Sequence, residues 1–333
     1  MRIVFAGSPG IAVPSLEALV EAELQGEAYE IVGILTNPDS PRARQRTPEP
    51  TAVGAAATVL SEKLQEQGRS PILQLKPPAL DSPVQEALAA LHPDLLVSFA
   101  YGRIFGPQVL ALFPWGGINI HPSLLPKYRG ATPIPAAILG GDQETGITIQ
   151  RLDREMDAGD ILVQERFPLD GRETTASLGE LVARKGAALL IRALLAQGPL
   201  TGSPQLGEAT YCSRIAREDG RIDWSWPAVD IDARIRAFTP WPRAWTIHRE
   251  QELYLLEGRP FHGSVVGERA GMVLGIDKKQ GILVQTGDGI LGITRLQYRA
   301  KKALEWRAFL NGVRDFIHTP LGTAQSGSQS QEG

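Results

Sequence analysis

The first thirty-five residues constrain this chain more than any other stretch of it. Arg2 to Gly7 reads as a buried strand that ends in glycine, and Val13 to Glu23 then repeats apolar side chains at Val13, Leu16, Leu19 and Val20. Tyr29 to Leu35 is a second apolar run. A buried strand, a helix with period 3.6 and another buried strand predict a βαβ unit, and such units build parallel sheets covered on both faces. Further strand-like runs at Asp94 to Phe99 and Gly117 to His121 extend the sheet. Thr145 to Leu152 alternates apolar and polar residues as a half-exposed strand would, and Thr175 to Leu195 reads as a long helix. The expected fold class is α/β, with a Rossmann-like parallel-sheet domain over residues 1–196.

Beyond it the pattern changes. Gly198-Pro199-Leu200-Thr201-Gly202-Ser203-Pro204 lacks periodicity and marks an interdomain linker over residues 197–208. Short β-like runs follow at Ala244 to His248, Glu252 to Leu256, Gly281 to Gln285 and Ile290 to Leu296, separated by glycine turns. Helical stretches lie near Asp230 to Phe238 and Leu304 to Leu310. That pattern predicts a small OB-like β-barrel over residues 209–318. Thr319 to Gly333, rich in Ser, Gly and Gln, is expected to be a disordered tail. Trp224, Trp226, Trp241 and Trp245 fit domain core or linker packing better than a base-stacking platform.

A chain of 333 residues can form two hydrophobic cores. Cys212 is the only cysteine, which excludes an internal disulfide and a Cys-rich zinc site, and five scattered histidines argue against a metal enzyme. The apolar run after Arg2 is too short for a signal-peptide core, and no later run approaches a membrane span, so a cytoplasmic protein without membrane partner is expected. Net charge is −3 overall, yet Ala209 to His318 carries 17 Lys+Arg against 13 Asp+Glu, which leaves −7 for the remainder. A basic C-terminal half on an acidic chain suits either a polyanion or a solvated surface.

The densest cluster of chemically useful residues runs from Gly117 to Gly130, starting as a strand and ending as a loop. Alternation puts Asn119 and His121 on one face of that strand, about 7 Å apart along it, at the sheet edge where open α/β folds bind ligands. Asp153 to Asp160 supplies carboxylates on a glycine-bearing loop, and one of them near His121 would favour imidazolium, a donor for an oxyanion. A mutual hydrogen bond between Asn119 and His121, beside a solvated acidic loop, accounts for the same spacing.

Asn119-x-His121, followed by Ser123-Leu124-Leu125-Pro126-x-x-Arg129-Gly130, resembles the signature of the folate-dependent formyltransferases, and Asp157 falls where that family keeps its catalytic aspartate. His121-Pro122 is closer to the glycinamide ribonucleotide branch than to the His-Gly of the tRNA branch. The opening Phe5-Ala6-Gly7-Ser8-Pro9, the Gly220 to Trp224 and Arg236 to Pro242 segments, and Thr286 to Ile290 are similar to the branch that formylates methionyl-tRNA. The glycinamide ribonucleotide enzymes end before such a second domain.

The resemblance implies transfer of a formyl group from 10-formyltetrahydrofolate to the methionine amine of initiator methionyl-tRNA, with no metal and no covalent enzyme intermediate. It assigns Asn119, His121 and Asp157 to catalysis and Ser123, Leu124, Leu125 and Pro126 to the folate. Arg42, Arg44 and Arg46 stand where the branch carries a basic loop that enters the acceptor stem, although the loop is short here. Arg295, Arg299, Lys301, Lys302 and Arg307 are further candidates to track the tRNA backbone. A monomer is expected. A sugar-nucleotide N-formyltransferase and a 10-formyltetrahydrofolate hydrolase are the alternatives on the same fold.

Overall fold

The computed structural model describes residues 1–41, 47–195, 200–263 and 267–322. They divide into two compact units. The first comprises residues 1–133, 144–168 and 177–213, and the second comprises 134–143, 169–176 and the chain from Arg214 onward.

Seven strands form the sheet of the first unit: β1 (Arg2–Gly7), β2 (Glu30–Leu35), β3 (Leu73–Leu75), β4 (Leu95–Phe99), β5 (Gly117–His121), β6 (Glu144–Arg151) and β7 (Ile161–Pro168), in the order β7-β6-β5-β4-β1-β2-β3. The five from β5 to β3 are parallel to one another, while β6 and β7 extend the sheet antiparallel. Ile3, Val4, Phe5 and Ala6 are fully buried, as a central strand covered on both faces requires. Helix α1 (Val13–Leu24) buries Leu16, Leu19 and Val20, the stripe its 3.6 spacing marks out. Helix α2 (Ala52–Glu66) is capped by Thr51, whose Oγ1 accepts from the Gly54 N–H at 3.0 Å. Helix α3 (Thr175–Leu195) approaches the sheet at Gly186, where a Cβ would stand 3.3 Å from Ile120.

The strand order reverses between β1 and β4. Outside the carboxyl ends of strands at such a reversal lies the crevice where open α/β sheets receive ligands. Gly7 closes β1 there, because a Cβ would meet the Phe99 carbonyl at 2.9 Å. Ser8 follows, with its Oγ accepting from the Asn37 N–H at 3.1 Å.

The second unit is an antiparallel sheet of β8 (Ala244–His248), β9 (Gln251–Pro260), β10 (Val273–Asp277), β11 (Gly281–Gln285) and β12 (Ile290–Tyr298), ordered β8-β9-β12-β11-β10. Leu253, Leu255, Val273, Ile282, Val284, Leu291, Ile293 and Leu296 point into one core with Ile231 and Ile235 of helix α4 (Ala228–Ala237). The expected helix at Leu304 begins instead as a two-residue strand on β12, and helix α5 runs from Trp306 to Gly312.

Four expectations are corrected. Glu144–Arg151 is buried along nearly its whole length rather than half exposed, because β5 and β7 flank it. The segment read as a linker over 197–208 belongs, from Leu200 on, to the first unit, where Ser203 exchanges both backbone hydrogen bonds with Ile161. The barrel set at 209–318 starts later, since Tyr211–Cys212 pairs with Arg129–Gly130. Thr319 to Gly322, assigned to the tail, is packed: the Val273 N–H donates to the Thr319 carbonyl and the Gly322 N–H to the Ile247 carbonyl, so this segment bonds both outer strands of the second sheet. Residues 323–333 of that tail lie outside the described residues. Among the tryptophans, Trp224 and Trp245 are buried, whereas Trp241 is 59% exposed and packs no core.

Candidate active site

Strand β5 runs toward the carboxyl edge of the sheet and ends in His121. Its neighbours fix the register: Ser98 of β4 and Gln150 of β6 flank Asn119, and Thr148 of β6 stands opposite His121. Asn119 is half-buried, and no described residue bonds its side-chain amide. The proposed Asn119–His121 pair is therefore absent, and the amide is left for something else.

His121 is buried, with both ring nitrogens facing acceptors. Nε2 lies 2.9 Å from the Tyr128 carbonyl, and Nδ1 lies 3.6 Å from Asp157 Oδ1. A carbonyl oxygen can only accept, so Nε2 carries the hydrogen and Nδ1 is where a second proton arrives or leaves. Burial pushes the His121 imidazolium down from its ordinary range, and the Asp157 carboxylate and the Tyr128 carbonyl oppose that shift without overcoming it. The expectation of a resting imidazolium is corrected on that ground. The protein holds a neutral ring beside a carboxylate that would stabilise it once charged.

Asp157 is held on both oxygens. Gln150 Nε2 donates to Oδ1 at 2.8 Å, and the Gly130 N–H donates to Oδ2 at 2.8 Å. The loop carrying it is tight: Asp157 has φ +55, and a Cβ on Gly159 would run into the Arg151 carbonyl. Tyr128, which supplies the carbonyl for His121, has φ +60. Two non-glycine residues in the left-handed region, one on each side of His121, mark backbone strain concentrated at this site.

The Ser123 to Pro126 loop leaves β5 directly. Leu125 is buried and Leu124 partly so, and the absence of a side chain at Gly146 makes room for Leu124, whose Cδ2 fills the space a Cβ would need. Much of the loop's backbone is already bonded. Thr148 Oγ1 donates to the Ser123 carbonyl at 2.7 Å and accepts from the Leu125 N–H at 3.2 Å, while Gln164 Nε2 donates to the Leu125 carbonyl at 2.9 Å. These bonds stiffen an apolar wall suited to a flat heteroaromatic ligand. Arg42, Arg44 and Arg46 lie outside the described residues.

Sequence reasoning missed Gln150, Thr148, Gln164 and Gln205. The first two were visible as polar residues at alternate positions of a strand whose other residues are apolar, a pattern that also fits solvent exposure. Gln205 reaches the site from the segment read as a linker: its Nε2 donates to the carbonyls of Asp157 at 2.7 Å and Gly159 at 2.8 Å. Among the described residues, no cluster of His, Cys, Asp and Glu is placed to hold a metal ion, and no helix is long and apolar enough to cross a membrane. A cavity of about 670 Å³ in the second unit, lined by Arg172, Arg236, Arg259 and Lys279 among others, contains none of the residues above.

Comparison with known proteins adds family to geometry. Residues 1–194 match the formyl transferase family and residues 214–314 the formyl transferase C-terminal domain family. A protein of Treponema denticola named methionyl-tRNA formyltransferase is 44% identical over 324 residues, covering 95% of this chain and 98% of its own. One of the same name from Chloroflexus aggregans is 42% identical over 321 residues, covering 94% and 97%. The solved structure of methionyl-tRNA formyltransferase from Clostridium thermocellum shares the fold, with a TM-score of 0.56 at 17% identity over 80% of this chain and 97% of that one.

Proposed function

Because the chain belongs to the methionyl-tRNA formyltransferase family, we propose that Asn119, His121 and Asp157 carry the transfer of a formyl group from 10-formyltetrahydrofolate to the α-amine of initiator methionyl-tRNA. The observation that supports this most is the buried His121 ring held between the Tyr128 carbonyl and Asp157, two residues along β5 from an amide that no described residue bonds.

The chemistry follows from those groups. The neutral amine of the methionyl ester attacks the formyl carbon on N10, and the carbonyl π electrons move onto oxygen. Asn119 donates a hydrogen bond to that oxyanion. Nδ1 of neutral His121 takes the proton the amine must lose, and Asp157 stabilises the imidazolium so formed. Collapse of the intermediate breaks the C–N10 bond, and the same proton passes to N10. No bond to the protein forms, because the formyl group arrives already activated.

The Ser123-Leu124-Leu125-Pro126 loop, stiffened by Thr148 and Gln164, forms the wall for the folate. Arg42, Arg44 and Arg46 contact phosphates of the acceptor stem. The enzyme acts as a monomer in the cytoplasm, where its charged tRNA is found. Formyl transfer to charged initiator tRNA, run beside uncharged tRNA and an amino-sugar nucleotide, tests the reading. Transfer to the charged tRNA alone is expected. Transfer only to the sugar, or release of formate without an acceptor, would overturn it.

A further inference from the structure

Behind Asp157 stands a chain of side-chain amides that no step of the proposed reaction requires. Arg129 donates through Nε at 3.1 Å and Nη2 at 2.8 Å to Gln205 Oε1. Gln205 Nε2 reaches Gln150 Oε1 at 3.3 Å, besides its bonds to the carbonyls of Asp157 and Gly159. Gln150, 1% exposed, donates from Nε2 to Asp157 Oδ1 at 2.8 Å.

The direction of this chain is set at one end. A guanidinium has donors and no acceptor, so it holds the Gln205 oxygen toward itself and turns the Gln205 nitrogen away. That nitrogen faces three oxygens, one of them Gln150 Oε1, which leaves the Gln150 nitrogen pointing at Asp157. Neither amide can flip without setting oxygen against oxygen. A carboxylate bonded in this way from Gln150 and from the Gly130 N–H is fixed in position, with part of its charge already neutralised.

We infer that Gln150, oriented by Gln205 and Arg129, is a positioning residue that fixes the Asp157 carboxylate and thereby sets how tightly His121 and Asp157 hold a proton between them. The titratable and charged groups around the pair are Arg129, its exposed partner Glu155 at 3.8 Å, and the Cys212 thiol, which contacts the carbonyls of Tyr128 and Arg129. Burial pushes that thiol up, so it stays neutral and adds no competing charge. Gln205, in the segment from Leu200 onward, supplies the link between Arg129 and Gln150.

The inference rests on the assignment of proton transfer to His121 and Asp157, and its test separates the two. Full-length protein labelled with ¹⁵N-histidine is titrated by NMR, with the His121 signal assigned from its loss in His121→Gln. The variants are Gln150→Leu, which removes the donor, and Gln150→Met, which keeps the length of the side chain and also lacks the donor. With Asp157 less neutralised, a proton on His121 is held more tightly, so its midpoint should rise by about one pH unit in both variants. The acid limb of kcat/KM for formyl transfer should move up with it, while KM for the folate stays unchanged. An unmoved His121 midpoint in both variants overturns the inference, and should the leucine variant fail to fold, an unmoved midpoint in the methionine variant does so alone. A midpoint that moves while the acid limb stays still upholds the positioning role and removes the pair from the proton transfer.

Discussion

His121 Nδ1 lies 3.6 Å from Asp157 Oδ1, too far for a good hydrogen bond to a neutral ring and close enough to attract a charged one. The pair is poised to tighten when a proton arrives. Asp157→Asn should therefore lower the single-turnover rate of formyl transfer by about 10²- to 10⁴-fold while leaving folate affinity within a fewfold. A rate within tenfold of wild type would remove Asp157 from the chemistry.

Burial of His121 also makes a stability prediction. Its pKa is lowered in the folded protein, so the unfolded chain binds the proton more readily. The contribution is complete above the ordinary histidine value of about 6.5 and is lost as pH falls below it toward the lowered folded value, with a slope of at most about 1.4 kcal/mol per pH unit. Urea unfolding at pH 7.5 and at pH 5.5 should show wild type losing more stability than His121→Gln. Equal losses would mean that the ring is solvated when protonated.

Gly130 has φ +113, and a Cβ there would run into the Cys212 carbonyl. Gly130→Ala must open the pairing of Arg129–Gly130 with Tyr211–Cys212 and shift the N–H that Asp157 accepts. A loss of about 2 kcal/mol or more in chemical denaturation is expected, together with a fall in turnover. A variant as stable as wild type would show that the pairing is dispensable.

Leu321 is 3% exposed and packs in the core of the second unit. Ending the chain at His318 rather than at Gly322 removes that side chain and frees two strand edges. The shorter chain should be less stable by about 2–3 kcal/mol, read as a lower thermal midpoint of the second unit. Matching midpoints for the two chains would contradict the packing described.

Replacement of Arg42, Arg44 and Arg46 by alanine should weaken binding of the charged tRNA at low salt. It should also reduce the slope of log affinity against log salt by roughly one for each phosphate that is no longer neutralised. An unchanged slope would exclude the loop from the tRNA interface.

Much of the fold was legible because the signals were local. Gly117–His121 and Thr175–Leu195 have in the structure the bounds their periodicity set, since a buried strand ends where its apolar run ends and a long helix where its stripe ends. Ile161–Pro168 was invisible for the opposite reason: as the outer strand of its sheet it keeps Glu165 and Arg166, charges that blur a period of two. Val273–Asp277 is the matching edge strand of the second unit.

The sequence by itself determined the two-part α/β and antiparallel organisation, the placement of Asn119 and His121 on one strand face, and, through its resemblance, the aspartate that belongs with them. These depend on neighbours in the chain or on a motif of fixed spacing. Only the tertiary structure decided that burial leaves His121 neutral, that Gln150 and Gln205 hold Asp157, and that Thr319 to Gly322 is part of the second unit. Gln205 stands 48 residues from Asp157 along the chain. Such contacts arise from the way the strands stack side by side, and the protonation of a buried ring depends on everything that excludes water from it.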